Sequence, residues 1–192
     1  MAAIDASLGF DWIAWYDFLT PHPAVRFILW LGYLSLMLQI LISVIYFALR
    51  DLDYFNYELL LNNIICLLIT TALFLWFPAL GPLQGGGQPG LPVLLALRHG
   101  GPLSFDMTQL QGLISFPSYH MVLAVLLVWA HRRSALLGPI TIVNLIMILS
   151  IPSFGPHYLV DLFAGAAVAG LAIMATRVAD PSRRRSATAE TL

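Results

Sequence analysis

Long apolar runs, punctuated by short polar links, organise this chain. Residues 27–49 form the first run, long enough to cross the roughly 30 Å hydrocarbon core of a bilayer. The link Arg50-Asp51-Leu52-Asp53 turns the chain into a second run at residues 58–80. That run carries Asn62, Asn63, Thr70 and Thr71, side chains of the kind that bond neighbouring membrane helices. Residues 81–116 break the pattern: Pro82, Gly85, Gly86, Gly87 and Pro89 precede one short apolar patch at residues 91–97. A connection this long that leads into a polar helix start predicts a lid or re-entrant element. The third run covers residues 117–130 and stops at His131-Arg132-Arg133; the fourth covers 135–151; the fifth covers 157–176. Ahead of them all, residues 8–18 mix Trp12, Trp15 and Tyr16 with Asp11 and Asp17, which suits a segment lying in the membrane interface. The pattern predicts an all-α, polytopic membrane helix bundle with five evident transmembrane helices and a long external loop between the second and third. Its divisions are an interfacial segment at 1–26, one transmembrane domain at 27–177 and a mobile cytoplasmic tail at 178–192.

Composition narrows the function classes. The chain of 192 residues is 59% hydrophobic with a mean hydropathy of +0.84, beyond the apolar share of a soluble domain. Its net charge of −1 offers no basic field for nucleic acid. There is no lysine, which excludes a lysine nucleophile and a P-loop lysine, and the glycines at 85–87 lack nucleotide-binding spacing. Cys66 is the lone cysteine, so no internal disulfide forms, and it reads as a small apolar residue in a helix. No cleavable signal peptide is expected from Met1-Ala2-Ala3-Ile4-Asp5.

Arginine placement predicts orientation. Arg50, Arg132, Arg133, Arg177, Arg183, Arg184 and Arg185 fall on one side of the spans, leaving Arg26 and Arg98 opposite. The positive-inside rule makes the rich side cytoplasmic. The expectation is therefore an integral membrane protein of a bacterial inner membrane, with its polar helix starts on the periplasmic face. Along their helices His120 lies about 18 Å above Arg132 and His157 about 30 Å above Arg177. Tilt, a snorkelling arginine or a short third helix reconciles those depths.

Those helix starts carry the candidate chemistry. The segments Phe116-Pro117-Ser118-Tyr119-His120 and Gly155-Pro156-His157-Tyr158-Leu159-Val160-Asp161 put two imidazoles and a carboxylate where apolar helices begin. Ionisable groups at membrane depth are costly and usually mark a site. His157 and Asp161 share one helix face at i, i+4, so the carboxylate can accept one imidazole proton and leave the other nitrogen to attack. His120 then serves as acid and base. Ser118 and the N–H groups near Pro117 suit phosphate oxygens, and Pro117 and Pro156 suit first-turn positions. Arg98, in the candidate lid, is a second phosphate-binding candidate. His22 reads as solvated, and His99 and His131 as ordinary contacts, His131 at an interfacial turn. The same His/His/Asp set also fits a metal-dependent membrane enzyme, and polar residues in spans also fit a non-enzymatic transporter or assembly subunit.

The two segments resemble the second and third signatures of the type 2 phosphatidic acid phosphatase superfamily. The His-Tyr-Leu-Val-Asp wording, followed by Ala164-Gly165, is most similar to its inositol phosphorylceramide synthase-like branch. The resemblance is specific over residues 116–170. It implies a six-helix core acting on lipid phosphate esters without metal or other cofactor, with His157 as the nucleophile forming a phosphohistidine, Asp161 as its orienter and His120 as acid/base. The partners it implies are a membrane lipid phosphate and the bilayer, with an alcohol or water as acceptor and a homo-oligomer left open. A first signature with its lysine is not found, and Ile151 stands where many members have an arginine. Five spans against six lead to the expectation that a preceding helix is missing from the chain.

Overall fold

The structure is a computed structural model that describes residues 1–79, 81–82, 91–100, 115–155 and 157–179. Helices α1 (Ala2–Ser7), α2 (Trp12–Leu19), α3 (Pro23–Leu49), α4 (Asp53–Trp76), α5 (Leu91–His99), α6 (Tyr119–Ala130), α7 (Leu137–Phe154) and α8 (Leu159–Ala179) follow in order, and no strand occurs among the described residues. Most of the long connection, the tail beyond residue 179 and Pro156 with its first-turn assignment lie outside the described residues.

Local chemistry sets the helix ends. The Asp11 carboxylate caps α2 by accepting from the Ile13 and Ala14 N–H groups, satisfying donors that a helix start leaves orphaned. Pro23 opens α3, where its missing N–H is harmless, so the helix begins before the apolar run expected from residue 27. α7 continues through Pro152 to Phe154 instead of stopping at residue 151. A proline in the last turn removes only one helical hydrogen bond, and Gly155 ends the helix in extended geometry.

Four helices, α3, α4, α7 and α8, are long and apolar enough to cross a membrane. Their outward faces expose large apolar side chains such as Met37, Leu41, Leu68, Ile142, Leu149 and Met174. Such a belt would be untenable in water and is ordinary against lipid. The chain is an integral membrane protein built as an all-helical bundle.

The shorter α6, 12 residues long, sits at the centre and packs against α3, α4, α7 and α8. Val122, Leu123, Ala124, Leu126 and Leu127 are all buried. Between membrane helices no hydrophobic driving force remains, so close packing and interhelical hydrogen bonds hold the bundle. At Gly32 an added Cβ would stand 2.7 Å from Ile146 Cγ2 of α7, and at Gly165 it would run into the Ser118 carbonyl oxygen. At Gly170, by contrast, nothing lies within 4 Å of the Cβ position. The Tyr119 hydroxyl donates to Asn63 Oδ1 (2.6 Å) and the Thr176 hydroxyl to Asn62 Oδ1 (3.1 Å), so both asparagines bond neighbouring helices. Cys66 is fully buried.

The bundle has two chemically distinct ends. At one, Arg132 pairs with buried Glu58 (2.7 Å), and the guanidinium groups of Arg132 and Arg177 stand 4.3 and 5.0 Å from the centre of the Trp129 ring. Arginines from the short α6 end and from the long α8 thus reach the same aromatic ring. His131 also lies here, an ordinary contact that is fully buried. Its Nδ1 lies 2.8 Å from Ser134 Oγ and its Nε2 2.9 Å from Ser43 Oγ. Its ring stacks on Phe47. The turn after α6 folds inward because two hydroxyls and an aromatic face satisfy the imidazole there. The opposite end gathers the other two histidines of the spans.

Candidate active site

The starts of α6 and α8 meet at that second end. The Ser118 N–H donates to the Asp161 carbonyl (3.0 Å), and Gly165 lets the two backbones touch. This contact brings the His120 and His157 rings to a centroid distance of 6.3 Å, steeply inclined at 66°. The imidazoles from separate helices thus come together at this end of the bundle.

His157 is 4% exposed. Its Nδ1 lies 2.7 Å from the Ser115 carbonyl oxygen. A carbonyl only accepts, so Nδ1 carries the proton and Nε2 keeps a lone pair. Asp161 Oδ2 stands farther from the same nitrogen, at 3.8 Å. The expected direct bond between carboxylate and imidazole is therefore replaced by one to a backbone carbonyl. The reason is local: Asp161 Oδ2 accepts from the Tyr158 N–H at 2.7 Å and so caps the first turn of its own helix. Asp161 is fully buried, with Oδ1 unpartnered among the described residues. Burial pushes the His157 imidazole down to about 4. The neighbouring His120 adds to this and the Ser115 bond opposes it.

His120 is half-buried and its ring stacks on Tyr33 of α3 at 4.5 Å. Ser118, the N-cap residue of α6, makes no side-chain capping bond. It is fully buried and its Oγ has no partner among the described residues. An orphaned buried hydroxyl beside uncapped helix N–H groups is the arrangement that an anion would complete. Arg98 is exposed near the end of α5.

Three contributors were not foreseen. Ser115 acts through its carbonyl, which leaves no mark in a side-chain pattern. Tyr33 sits in a run read only as membrane span. Asp5 of α1 is 3% exposed and accepts from the Leu159 and Val160 N–H groups (2.8 and 3.2 Å). An acidic residue in an otherwise apolar N-terminal stretch was the available signal.

Next to α8 a cavity of about 650 Å³ lies between α1, α2, Pro82 and Tyr158, walled by Ala6, Phe10, Trp12 and Ile13 among others. Among the described residues, no three His, Cys, Asp or Glu side chains are grouped to hold a metal ion.

Comparison with curated proteins and with solved structures returns no match. A family model described as the PAP2 superfamily matches residues 1–175. That span includes both histidine segments, α1 with Asp5, helices α3, α4, α6 and α7 and most of α8. Membership supports an enzyme of lipid-phosphatase type. The chain belongs to the PAP2 superfamily.

Proposed function

We propose that the protein transfers the phosphoryl or phospho-head group of a membrane lipid through a covalent phosphohistidine on His157. The observation that carries the reading is the buried His157, held by Nδ1 on the Ser115 carbonyl with its ring centre 6.3 Å from that of His120. A neutral imidazole with an unprotonated Nε2 is a nucleophile at pH 7 without further activation.

In the first step Nε2 attacks phosphorus and forms the N–P bond as the P–O bond to the lipid alcohol breaks. His120, as acid, gives the departing oxygen its proton. In the second step His120 takes a proton from water or an acceptor alcohol, whose oxygen attacks phosphorus and displaces the imidazole. Positive charge developing on His157 is stabilised by the Ser115 carbonyl and by Asp161, 3.8 Å from Nδ1. The Ser118 hydroxyl and the first N–H groups of α6 hold the phosphate oxygens as charge shifts onto them. The apolar cavity beside Tyr158 suits the hydrocarbon part of the lipid, and its volume is within the range of small-molecule sites. Arg98 remains a candidate for phosphate contact from the loop.

An alcohol acceptor would make the protein a transferase of the inositol phosphorylceramide synthase kind; water would make it a phosphatase. We further infer from the arginine distribution that the histidine end faces the periplasm and the arginine end the cytoplasm. The test is a panel of lipid phosphates and phosphodiesters, assayed for released phosphate or exchanged head group. Substrate with labelled phosphate should leave an acid-labile adduct on the wild type and none on His157→Ala. Full turnover by that variant would overturn the reading.

A further inference from the structure

The segment that carries His157 is held from both sides by the N-terminal helices. On the α7 side, Pro156 has no N–H, so the Pro152 carbonyl cannot find the donor a continuing helix would supply. The Trp12 indole N–H donates to it instead, at 2.7 Å, and the Trp15 indole donates to Ser153 Oγ at 2.8 Å. On the α8 side, the Asp5 carboxylate spans two successive backbone donors, Leu159 N–H through Oδ2 and Val160 N–H through Oδ1. Tyr158 N–H is taken by Asp161. Both carboxylates at this helix start are nearly or fully buried, so water has little access to replace them.

We propose that Asp5 is a positioning residue for the reaction: its carboxylate fixes the first turn of α8 and through it the His157 ring. The inference rests on the reading of His157 as nucleophile. Two oxygens on adjacent amides restrain the rotation as well as the depth of the helix start, which a single contact would not. The ring then has little freedom, since its Nδ1 is tied to Ser115 and its backbone to the turn that Asp5 holds. Asp5 also occupies the anion-attracting end of α8. A substrate phosphate is thereby directed to the uncapped start of α6, where Ser118 stands unpartnered.

The test compares wild type, Asp5→Ala and Asp5→Asn in lipid-containing detergent micelles, against His157→Ala. Hydrogen exchange at the 159–160 amides reads the tie without substrate, and kcat and KM on the lipid panel read its consequence. Asp5→Ala should speed exchange there by at least about ten-fold, and lower kcat about 10- to 100-fold, the scale of an ångström-sized misplacement, while KM moves less than about three-fold. Asp5→Asn, which keeps one acceptor oxygen, should fall between. Exchange and kcat both within two-fold of wild type in Asp5→Ala would overturn the proposal. So would faster exchange with unchanged kcat, or loss of folded protein in both variants with normal turnover by the folded remainder. A wild type that turns over nothing in the panel overturns the phosphoryl-transfer reading and the catalytic role of Asp5 with it. Turnover by wild type with an indifferent Asp5→Ala overturns the role of Asp5 alone.

Discussion

Replacing Ser118 by alanine separates a site residue from a packing residue. The side chain is fully buried and its hydroxyl has no hydrogen-bond partner among the described residues. Hiding an unsatisfied hydroxyl costs about 1–3 kcal/mol. Alanine removes that cost and leaves only an oxygen-sized gap, which forfeits a fraction of it through lost contacts. The net expectation is a gain of about 1 kcal/mol, or roughly 2–4 °C in Tm for a chain of this size. Turnover should move the other way. Losing one preorganised donor to a developing oxyanion costs about 10²–10³ in kcat at well-formed sites, and a drop of at least about ten-fold is expected here because the neighbouring α6 N–H groups remain. The assay pairs thermal unfolding in lipid-containing micelles with phosphate release from the preferred lipid. A lowered Tm together with unchanged turnover would refute the reasoning, because the hydroxyl would then be serving the fold and not the phosphate.

Two further outcomes follow from the buried histidines. The neutral form of His157 is the reactive one and burial holds its folded value down to about 4, so the acid limb of kcat/KM should lie nearer pH 4 than the pH 6.5 of an ordinary histidine. Since the unfolded chain takes up this proton first, native stability should be complete above about pH 6.5 and decline as pH falls toward 4, by roughly 3 kcal/mol in all; flat stability over that window in pH-stepped unfolding would contradict it. At the opposite end, His131→Ala removes bonds to Ser43 and Ser134 and a stacked ring. It should cost roughly 2–4 kcal/mol while the folded fraction keeps wild-type kcat, as measured by unfolding and turnover on the same sample.

Where the sequence could be read and where it could not follows a physical line. The spans were legible because a bilayer demands about 20 apolar residues per crossing, and α3, α4, α7 and α8 meet that demand. Their ends shifted by several residues where a proline tolerated more helix than its reputation allows, as Pro152 does in α7. That His131 is an ordinary contact follows from how a lone histidine sits among apolar helices, but its partner does not: Ser43, 88 positions away in the chain, makes the burial affordable. No local pattern reports a partner that distant.

The sequence by itself determined that this is a membrane helix bundle and that two imidazoles and a carboxylate stand at helix starts, since hydropathy and i, i+4 spacing are properties of the chain alone. Only the tertiary structure decided which groups hold the site together. It gave the Nδ1 proton of His157 to the Ser115 carbonyl instead of Asp161, left the Ser118 hydroxyl without a partner, and brought Asp5 across 154 residues to the start of α8. Hydrogen bonds depend on position to within a few tenths of an ångström, and in a packed bundle that position is set jointly by every helix in contact.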